Sequence, residues 1–392
     1  MKIPRPQPLG AFPMPAGLLL IVGDGSEPVR EALLAGKLPS EWPASLEGAR
    51  LAYAGELDAA TEWFAARQDD PASLYNLWVL DPERVPREGV AHALGDDWQG
   101  LVDYVAFASG LTAITPPAER ADGEIAALLA VAQAAADVEA DRLENAAGRL
   151  RWAADQAHGK HPALEAVILA EFAGRAHDLD AADEAVRMLS GMDLRPALAE
   201  ALYQQASLLH EAALDGRRPI GQAIAAYTQA LREVDEIDDP SLAGRIHLNL
   251  GTAYLAQPIS GQGDALRAGI AVQSLRHAVT LLDEKRDPEA LTMAQLNLAN
   301  ALVYAPSAGQ RDNMMEAVDL YQVVIDARRG DPAGRARALA NQGNALAHLG
   351  LRDDAANCYR EAKRLFNATR DANSVALVEQ MEAQLATTNE EA

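Results

Sequence analysis

The chain has 392 residues, of which 49% are hydrophobic but only 5% aromatic, so its apolar content is mostly Ala and Leu and favours closely packed helices. Its 57 acidic and 34 basic residues give a formal net charge of −23. A surface of this sign repels phosphate backbones, so we do not expect nucleic-acid binding. The charge suits solubility or, alternatively, a basic partner.

One cysteine, Cys358, excludes an intramolecular disulfide framework and fits a reducing compartment. The longest aliphatic run near the start, residues 17–22, is too short to span a membrane. Prolines crowd this run, and no small-residue cleavage site follows, which argues against a signal peptide. We therefore expect a cytoplasmic protein without a membrane segment.

Residues 1–118 differ in composition from the rest of the chain. They contain four of the five tryptophans: Trp42, Trp63, Trp78 and Trp98. Residues 45–71 have the spacing of a degenerate helical hairpin, with Gly48 on one helix and Phe64 on the other. We expect a divergent, mostly helical region that caps the array that follows, and the alternative is that it presents an aromatic anchor to a partner.

The start of this region has some features of a nucleotide-binding unit. Residues 17–36 suggest a strand, a Gly turn and a helix capped by Ser26. However, "GDGSEP" lacks the G-x-G-x-x-G spacing and no Walker lysine follows, so we expect no phosphate site. Residues 114–124, rich in Pro and charge, mark the boundary with the next region.

A two-helix pattern repeats six times between about residues 119 and 385. Each second helix carries an alanine, a large residue four positions later, and a small or aliphatic residue three positions after that. The alanines are Ala146, Ala182, Ala223, Ala271, Ala317 and Ala355. The varying interval between them indicates loop insertions in one kind of repeat.

The most regular copy is "LANQGNALAHLGLRDDAANCYREA", residues 339–362. Gly343 lies on one helix, Gly350 ends that helix, and Ala355 and Tyr359 share one face of the next. Small residues at the contact allow two helices to approach closely. This is the 34-residue tetratricopeptide pattern.

The chain therefore resembles the tetratricopeptide repeat family. The resemblance implies an all-α, right-handed superhelical solenoid of about six hairpins over residues 119–385, followed by a disordered tail at 386–392. Residues 309–326 are also similar to the repeats found beside CHAT domains, which are caspase-like, in bacterial proteins. The matching residues are Gly309, Arg311, Asn313, Ala317, Val318 and Tyr321, with one residue fewer between Arg311 and Asn313.

Catalytic, metal and cofactor sites are not indicated. Cys358 lies inside a repeat helix, so a catalytic Cys/His pair is not supported. His158 and His161 have a metal-like spacing, but no Cys or carboxylate is placed to complete a site. We expect a protein that is not an enzyme and holds neither metal nor cofactor.

Candidate binding residues lie on the first helices, which line the concave face of stacked tetratricopeptide hairpins. Asn249, Asn297 and Asn341 take the same position in three consecutive repeats, and Asn300 and Asn344 take another, one turn later. Their amides could grip an extended peptide backbone. Alternatively, they could bridge adjacent repeats through backbone carbonyls, and the sequence leaves both alternatives open.

The same helices argue against a carboxylate clamp of the chaperone type. The position of the first clamp lysine is taken by Tyr203, Leu248, Leu296 or Ala340. Positive charge at a neighbouring position comes only from Arg245 and Arg337. We therefore expect the partner to be a neutral peptide or helix with apolar anchors, not a strongly acidic C-terminal tail.

Three turns between helices share a proline followed by Gly-Gln, in residues 219–222, 258–262 and 306–310. They either cap helix ends or form a repeated binding edge. The leading hypothesis is a non-enzymatic interaction scaffold, an adaptor or assembly factor. The alternative is a regulatory subunit of a separately encoded effector enzyme, such as a CHAT-type protease. The sequence names neither the partner nor the oligomeric state.

Overall fold

A computed structural model describes residues 3–117, 121–257, 263–304 and 309–387. Within these ranges the chain forms 19 α-helices and no strand, so the predicted all-α class is confirmed. The chain divides into two compact units, Met1–Leu208 and Leu209–Ala392. The boundary at residue 118, drawn from composition, is a different division and stays a prediction.

The first unit contains ten helices and most of an eleventh. They are α1 (Ser26–Leu34), α2 (Glu47–Tyr53), α3 (Leu57–Ala65), α4 (Pro71–Leu80), α5 (Arg87–Leu94), α6 (Gln99–Ala108), α7 (Gly123–Glu139), α8 (Leu143–Ala157), α9 (Pro162–Ala176), α10 (Leu179–Leu189) and α11 (Arg195–Leu214), whose last six residues belong to the second unit. Consecutive helices pack as pairs, among them α2 with α3, α7 with α8, and α9 with α10.

The aliphatic run near the start begins in a 3-10 helix (Ala16–Leu18), and its buried residues 19–21 do not pair with another strand in the described residues. The side-chain amide of Asn76, on α4, takes the place of a strand partner. Its Oδ1 accepts from the Leu20 amide at 2.8 Å, and its Nδ2 donates to the Leu20 carbonyl at 2.9 Å. Gln7 Oε1 accepts from the Ile21 amide at 2.8 Å. Side-chain amides, and not a neighbouring strand, make the hydrogen bonds of this buried backbone. The predicted strand is therefore wrong.

The helix after this run also begins differently from the expectation. Gly25 is the N-cap residue, at φ +75°, and Ser26 is the first helical residue and does not cap the helix with its side chain. The degenerate hairpin is present as α2 and α3. A Cβ built on Gly48 would lie 2.8 Å from the Phe64 ring, which shows how closely these two helices pack. The capping role of this region stays a prediction.

The second unit continues the pairing. Its remaining helices are α12 (Ile220–Glu233), α13 (Pro240–Leu255), α14 (Asp264–Leu281), α15 (Pro288–Tyr304), α16 (Gln310–Ala327), α17 (Pro332–His348), α18 (Arg352–Ala368) and α19 (Ala372–Thr387). The pairs α7–α8, α9–α10, α13–α14, α15–α16 and α17–α18 pack together and correspond to five of the six predicted tetratricopeptide-like hairpins. The helices of the remaining predicted hairpin, α11 and α12, follow each other along the chain. Of the predicted tail, residues 388–392 lie outside the described part of the chain.

The last hairpin shows why small residues recur in the pattern. A Cβ on Gly343 would lie 2.6 Å from the Tyr359 ring, so only glycine permits this approach of α17 and α18. Gly350 follows α17 at φ +81°, a conformation that favours glycine. The amide of Leu351 then bonds back to the Leu346 carbonyl at 2.9 Å, which closes the turn as predicted.

An Asp-Pro pair stands at the start of the first helix in each of the last three hairpins: Asp239-Pro240, Asp287-Pro288 and Asp331-Pro332. The carboxylate of Asp239 accepts from the Leu242 amide at 2.9 Å, and that of Asp331 accepts from the Gly334 amide at 2.8 Å. Proline suits the first helical position because its missing N–H has no partner there. These pairs set the register of α13, α15 and α17.

Of the three Pro-Gly-Gln turns, only residues 219–222 are described completely. Pro219 is the N-cap residue of α12, and its carbonyl accepts from the Gln222 amide at 3.1 Å. Residues 258–262 and 305–308 lie outside the described ranges. At the third turn, Gln310 Nε2 donates to the Val303 carbonyl at 2.8 Å, which caps the end of α15.

Candidate partner-binding face

The first helices of three consecutive hairpins lie side by side, because α13 packs on α15 and α15 on α17. Each of these helices begins at the proline of an Asp-Pro pair, so equivalent residues lie at the same level along the three helix axes. Asn249, Asn297 and Asn341 are each the tenth helical residue, as the sequence register predicts. Asn300 and Asn344 lie one turn later on α15 and α17.

Two of these asparagines bridge neighbouring first helices. Asn297 Nδ2 donates to Thr252 Oγ1 on α13 at 3.2 Å, and Asn341 Nδ2 donates to Asn300 Oδ1 on α15 at 3.0 Å. Bridging is therefore present, but it uses side chains and not the backbone carbonyls that we considered. Thr252 stands in the register position of Asn300 and Asn344.

Asn300 and Asn344 hold the large residue of their own hairpin. Tyr321 donates to Asn300 Oδ1 at 2.7 Å, and Tyr359 donates to Asn344 Oδ1 at 2.8 Å. Burial raises the pKa of Tyr359 to about 12, so its hydroxyl stays protonated and acts as a donor. Each of these bonds ties a first helix to its second helix.

Each amide uses only one of its polar groups in these bonds. The Oδ1 atoms of Asn297 and Asn341 and the Nδ2 atoms of Asn300 and Asn344 make no hydrogen bond with the described part of the protein. The four side chains are half-buried. Their unbonded atoms are not completely shielded from solvent. Amide orientation follows from the bonded partners. The bonded group fixes each amide, and the second group keeps some contact with solvent.

Further residues extend this surface in steps of about one turn. Arg245, Met293 and Arg337 each lie four residues before an asparagine of the row, and the Met293 side chain is 48% exposed. At the other end, Tyr304 and His348 are the last residues of α15 and α17, and Tyr304 is 72% exposed. We call these residues and the five asparagines the first-helix face. Sequence reasoning missed Met293, although it shares the register position of the two arginines.

The remaining predicted binding residue, Tyr203, lies on α11 in the first unit, and its part in partner binding stays a prediction. The position proposed for a clamp lysine is an apolar packing position, since Leu248 and Ala340 are buried and Leu296 is half-buried. A charged side chain there would have to be desolvated.

The residues considered for chemistry take part in local structure. Cys358 Sγ donates to Gln342 Oε1 at 3.3 Å, and burial raises the pKa of this thiol. His158 pairs with Glu165 at 2.7 Å. His161 is the buried N-cap residue of α9, its Nδ1 accepts from the Leu164 amide at 3.1 Å, and burial lowers its pKa to about 4.

Among the residues that the structure describes, no three His, Cys, Asp or Glu side chains group as metal ligands would. Over the same residues, no helix is both long and apolar enough to cross a bilayer.

Comparison with known proteins gives only low similarity to solved structures. No family model matches the chain, and no curated protein matches it. A solved structure of a Rap protein complexed with competence and sporulation factor has 12% identity and a TM-score of 0.46, over 84% of this chain and 99% of that one. The apo form of RapI has 12% identity and a TM-score of 0.42, over 88% of this chain and 97% of that one. Values this low do not bear on function.

Proposed function

We propose that the chain is a non-enzymatic scaffold that holds a peptide or helix of a partner protein on the first-helix face. The arrangement of the asparagine amides supports this proposal. One polar group of each amide is fixed by an internal bond, so the amide needs little further ordering to present the second group. Such preorganisation lowers the entropic cost of binding.

The spacing of the amides suits an extended chain. Packed helices lie about 8–10 Å apart, and an extended peptide rises about 3.3 Å per residue. Equivalent amides on α15 and α17 would therefore meet the peptide backbone at about every third residue. Acceptors on Asn297 and Asn341 would take peptide N–H groups, and donors on Asn300 and Asn344 would reach peptide carbonyls.

The side chains around the row define the class of partner. Met293 and Tyr304 offer exposed apolar contacts at opposite ends of α15, and Arg337 is an exposed positive group in the register position of Met293. This combination favours a peptide with apolar anchors and little charge. The partner could itself be an effector enzyme, as the resemblance to CHAT-associated repeats implies, and the chain would then act as its regulatory subunit.

The test removes the amide groups proposed to bind the peptide while it keeps the internal hydrogen bonds of the asparagines. Aspartate in place of Asn300 or Asn344 keeps the acceptor for the tyrosine hydroxyl but removes the solvent-facing donor. Peptides selected from a random displayed library on the full chain serve as the ligand. We expect the double variant Asn300→Asp, Asn344→Asp to bind them about tenfold more weakly or worse, with its melting temperature little changed.

A matched control is available on a second helix. Asn357, on α18, is exposed and accepts from Arg360 at 3.1 Å, so Asn357→Asp makes the same chemical change away from the first-helix face. This variant should bind as the wild type does. Equal binding by all three proteins would contradict the proposal.

A further inference from the structure

The fifth tryptophan, Trp152, has an environment that the other four lack. Each of the others lies against a ring or a guanidinium: Trp42 on Tyr53, Trp63 under Arg67, Trp78 beside Tyr75, and Trp98 near Arg5. Trp152 is 43% exposed, and no described ring or cation lies against it. A large aromatic side chain left open to solvent is a common feature of binding surfaces.

Trp152 lines a cleft of about 620 Å³ in the first unit, between α7 and α8. That volume falls within the range of ligand pockets. Glu144, Gly148 and Trp152 follow each other along α8 at intervals of one turn. A Cβ on Gly148 would meet nothing within 4 Å, so the space between the carboxylate and the indole is open.

Two charged residues line the cleft, Arg149 and Glu144. Arg149 is bound by the buried carboxylate of Asp137 at 2.7 Å and by Gln133. Arg142 pairs with the same Asp137 but does not line the cleft. Glu144 makes no ion pair within the described residues. The net charge of −23 adds a long-range attraction for cations.

We propose that this cleft binds a guanidinium group on an alkyl chain. The cation would lie over the face of Trp152, where the ring quadrupole attracts it, and pair with Glu144. The apolar stem of the ligand would lie along Ala121 and Ala130, and the polar side chains of Gln133 and Asn145 also line the cleft. This site is in the first unit and does not depend on the first-helix face.

The test measures binding to the full chain by the indole N–H resonance of Trp152, identified as the one missing from Trp152→Leu. The probes are butylguanidinium, N-acetylarginine amide, and N-acetylcitrulline amide as the neutral isostere. We expect both cations to bind and the citrulline compound not to bind. If the arginine amide binds more tightly, the natural ligand is a peptide side chain; if the two bind equally, a free cation suffices.

Two variants and a control complete the test. Followed by calorimetry, Trp152→Leu should weaken cation binding about two- to thirtyfold. Glu144→Gln should weaken it about two- to fivefold, and more at low salt. Glu289→Gln makes the same change at an exposed first-turn residue of α15 and should have no effect. Equal binding of the citrulline isostere, or unchanged affinity in both cleft variants, would overturn the proposal.

Discussion

At the scale of single residues, the second unit depends on polar bonds that are partly sheltered from water. Tyr321 and Tyr359 are buried, and the hydroxyl of each donates to an asparagine of the opposite helix. A net contribution of about 1 kcal/mol is usual for a bond of this kind. The same asparagines form the proposed binding row, so stability and binding share residues there but use different atoms.

Replacement of Tyr359 by Phe should lower the free energy of unfolding by about 0.5–1.5 kcal/mol, because Asn344 loses its internal donor. Urea unfolding followed by circular dichroism measures this change. Tyr254→Phe is the control, since the half-buried hydroxyl of Tyr254 makes no hydrogen bond within the described residues. If both variants lose the same free energy of unfolding, the hydrogen bond from Tyr359 to Asn344 does not stabilise the fold.

His161 makes stability depend on pH. Its pKa is about 4 in the folded chain because of burial, against about 6.5 when unfolded, so the unfolded chain binds one more proton between these values. The contribution of the neutral imidazole is complete above pH 6.5 and is lost as the pH falls toward 4. The expected loss is about 1.4 kcal/mol per pH unit.

The variant His161→Asn isolates this effect, because asparagine does not titrate and can still cap α9. Urea unfolding at several pH values between 7 and 4.5 should give a smaller decrease of stability for the variant than for the wild type. Parallel pH profiles would contradict the assignment.

At the scale of helices, the close contact of paired helices determines which positions tolerate a side chain. Gly343→Ala should lower the free energy of unfolding by about 1–2 kcal/mol, because the new methyl group meets the fixed Tyr359 ring. The cost of this overpacking is larger than the stability that alanine gains from its higher helix propensity. Gly269→Ala, on α14, is the control, since a Cβ there meets nothing within 4 Å. That variant should be about 0.5–1 kcal/mol more stable. Changes of the same sign in both thermal melts would be inconsistent with this packing.

The helices of the repeats could be predicted from the sequence because their spacing reports a contact that recurs. Gly343, Ala355 and Tyr359 are constrained by one another, and the pattern repeats along the chain. The extended run around Leu20 could not be predicted, because its partner is the side chain of Asn76, far away in the sequence. Periodicity carries no information about such a bond, so an apolar run was interpreted as a strand.

At the scale of the molecule, the sequence predicted a series of hairpins and placed Asn297 and Asn341 at one register position and Asn300 and Asn344 at another, one turn later, as the structure has them. It could not say which amide atoms would be bonded, because that depends on distances between helices. Trp152 was also missed, since its exposure depends on the side chains around it and not on its spacing.

The most direct test of the proposed binding face is an NMR measurement of the side-chain amides with a library-selected peptide bound. We predict that the NH₂ resonances of Asn300 and Asn344 shift and exchange more slowly with water, while that of Asn357 does not change. Peptide binding that leaves the resonances of Asn300 and Asn344 unchanged would contradict the account.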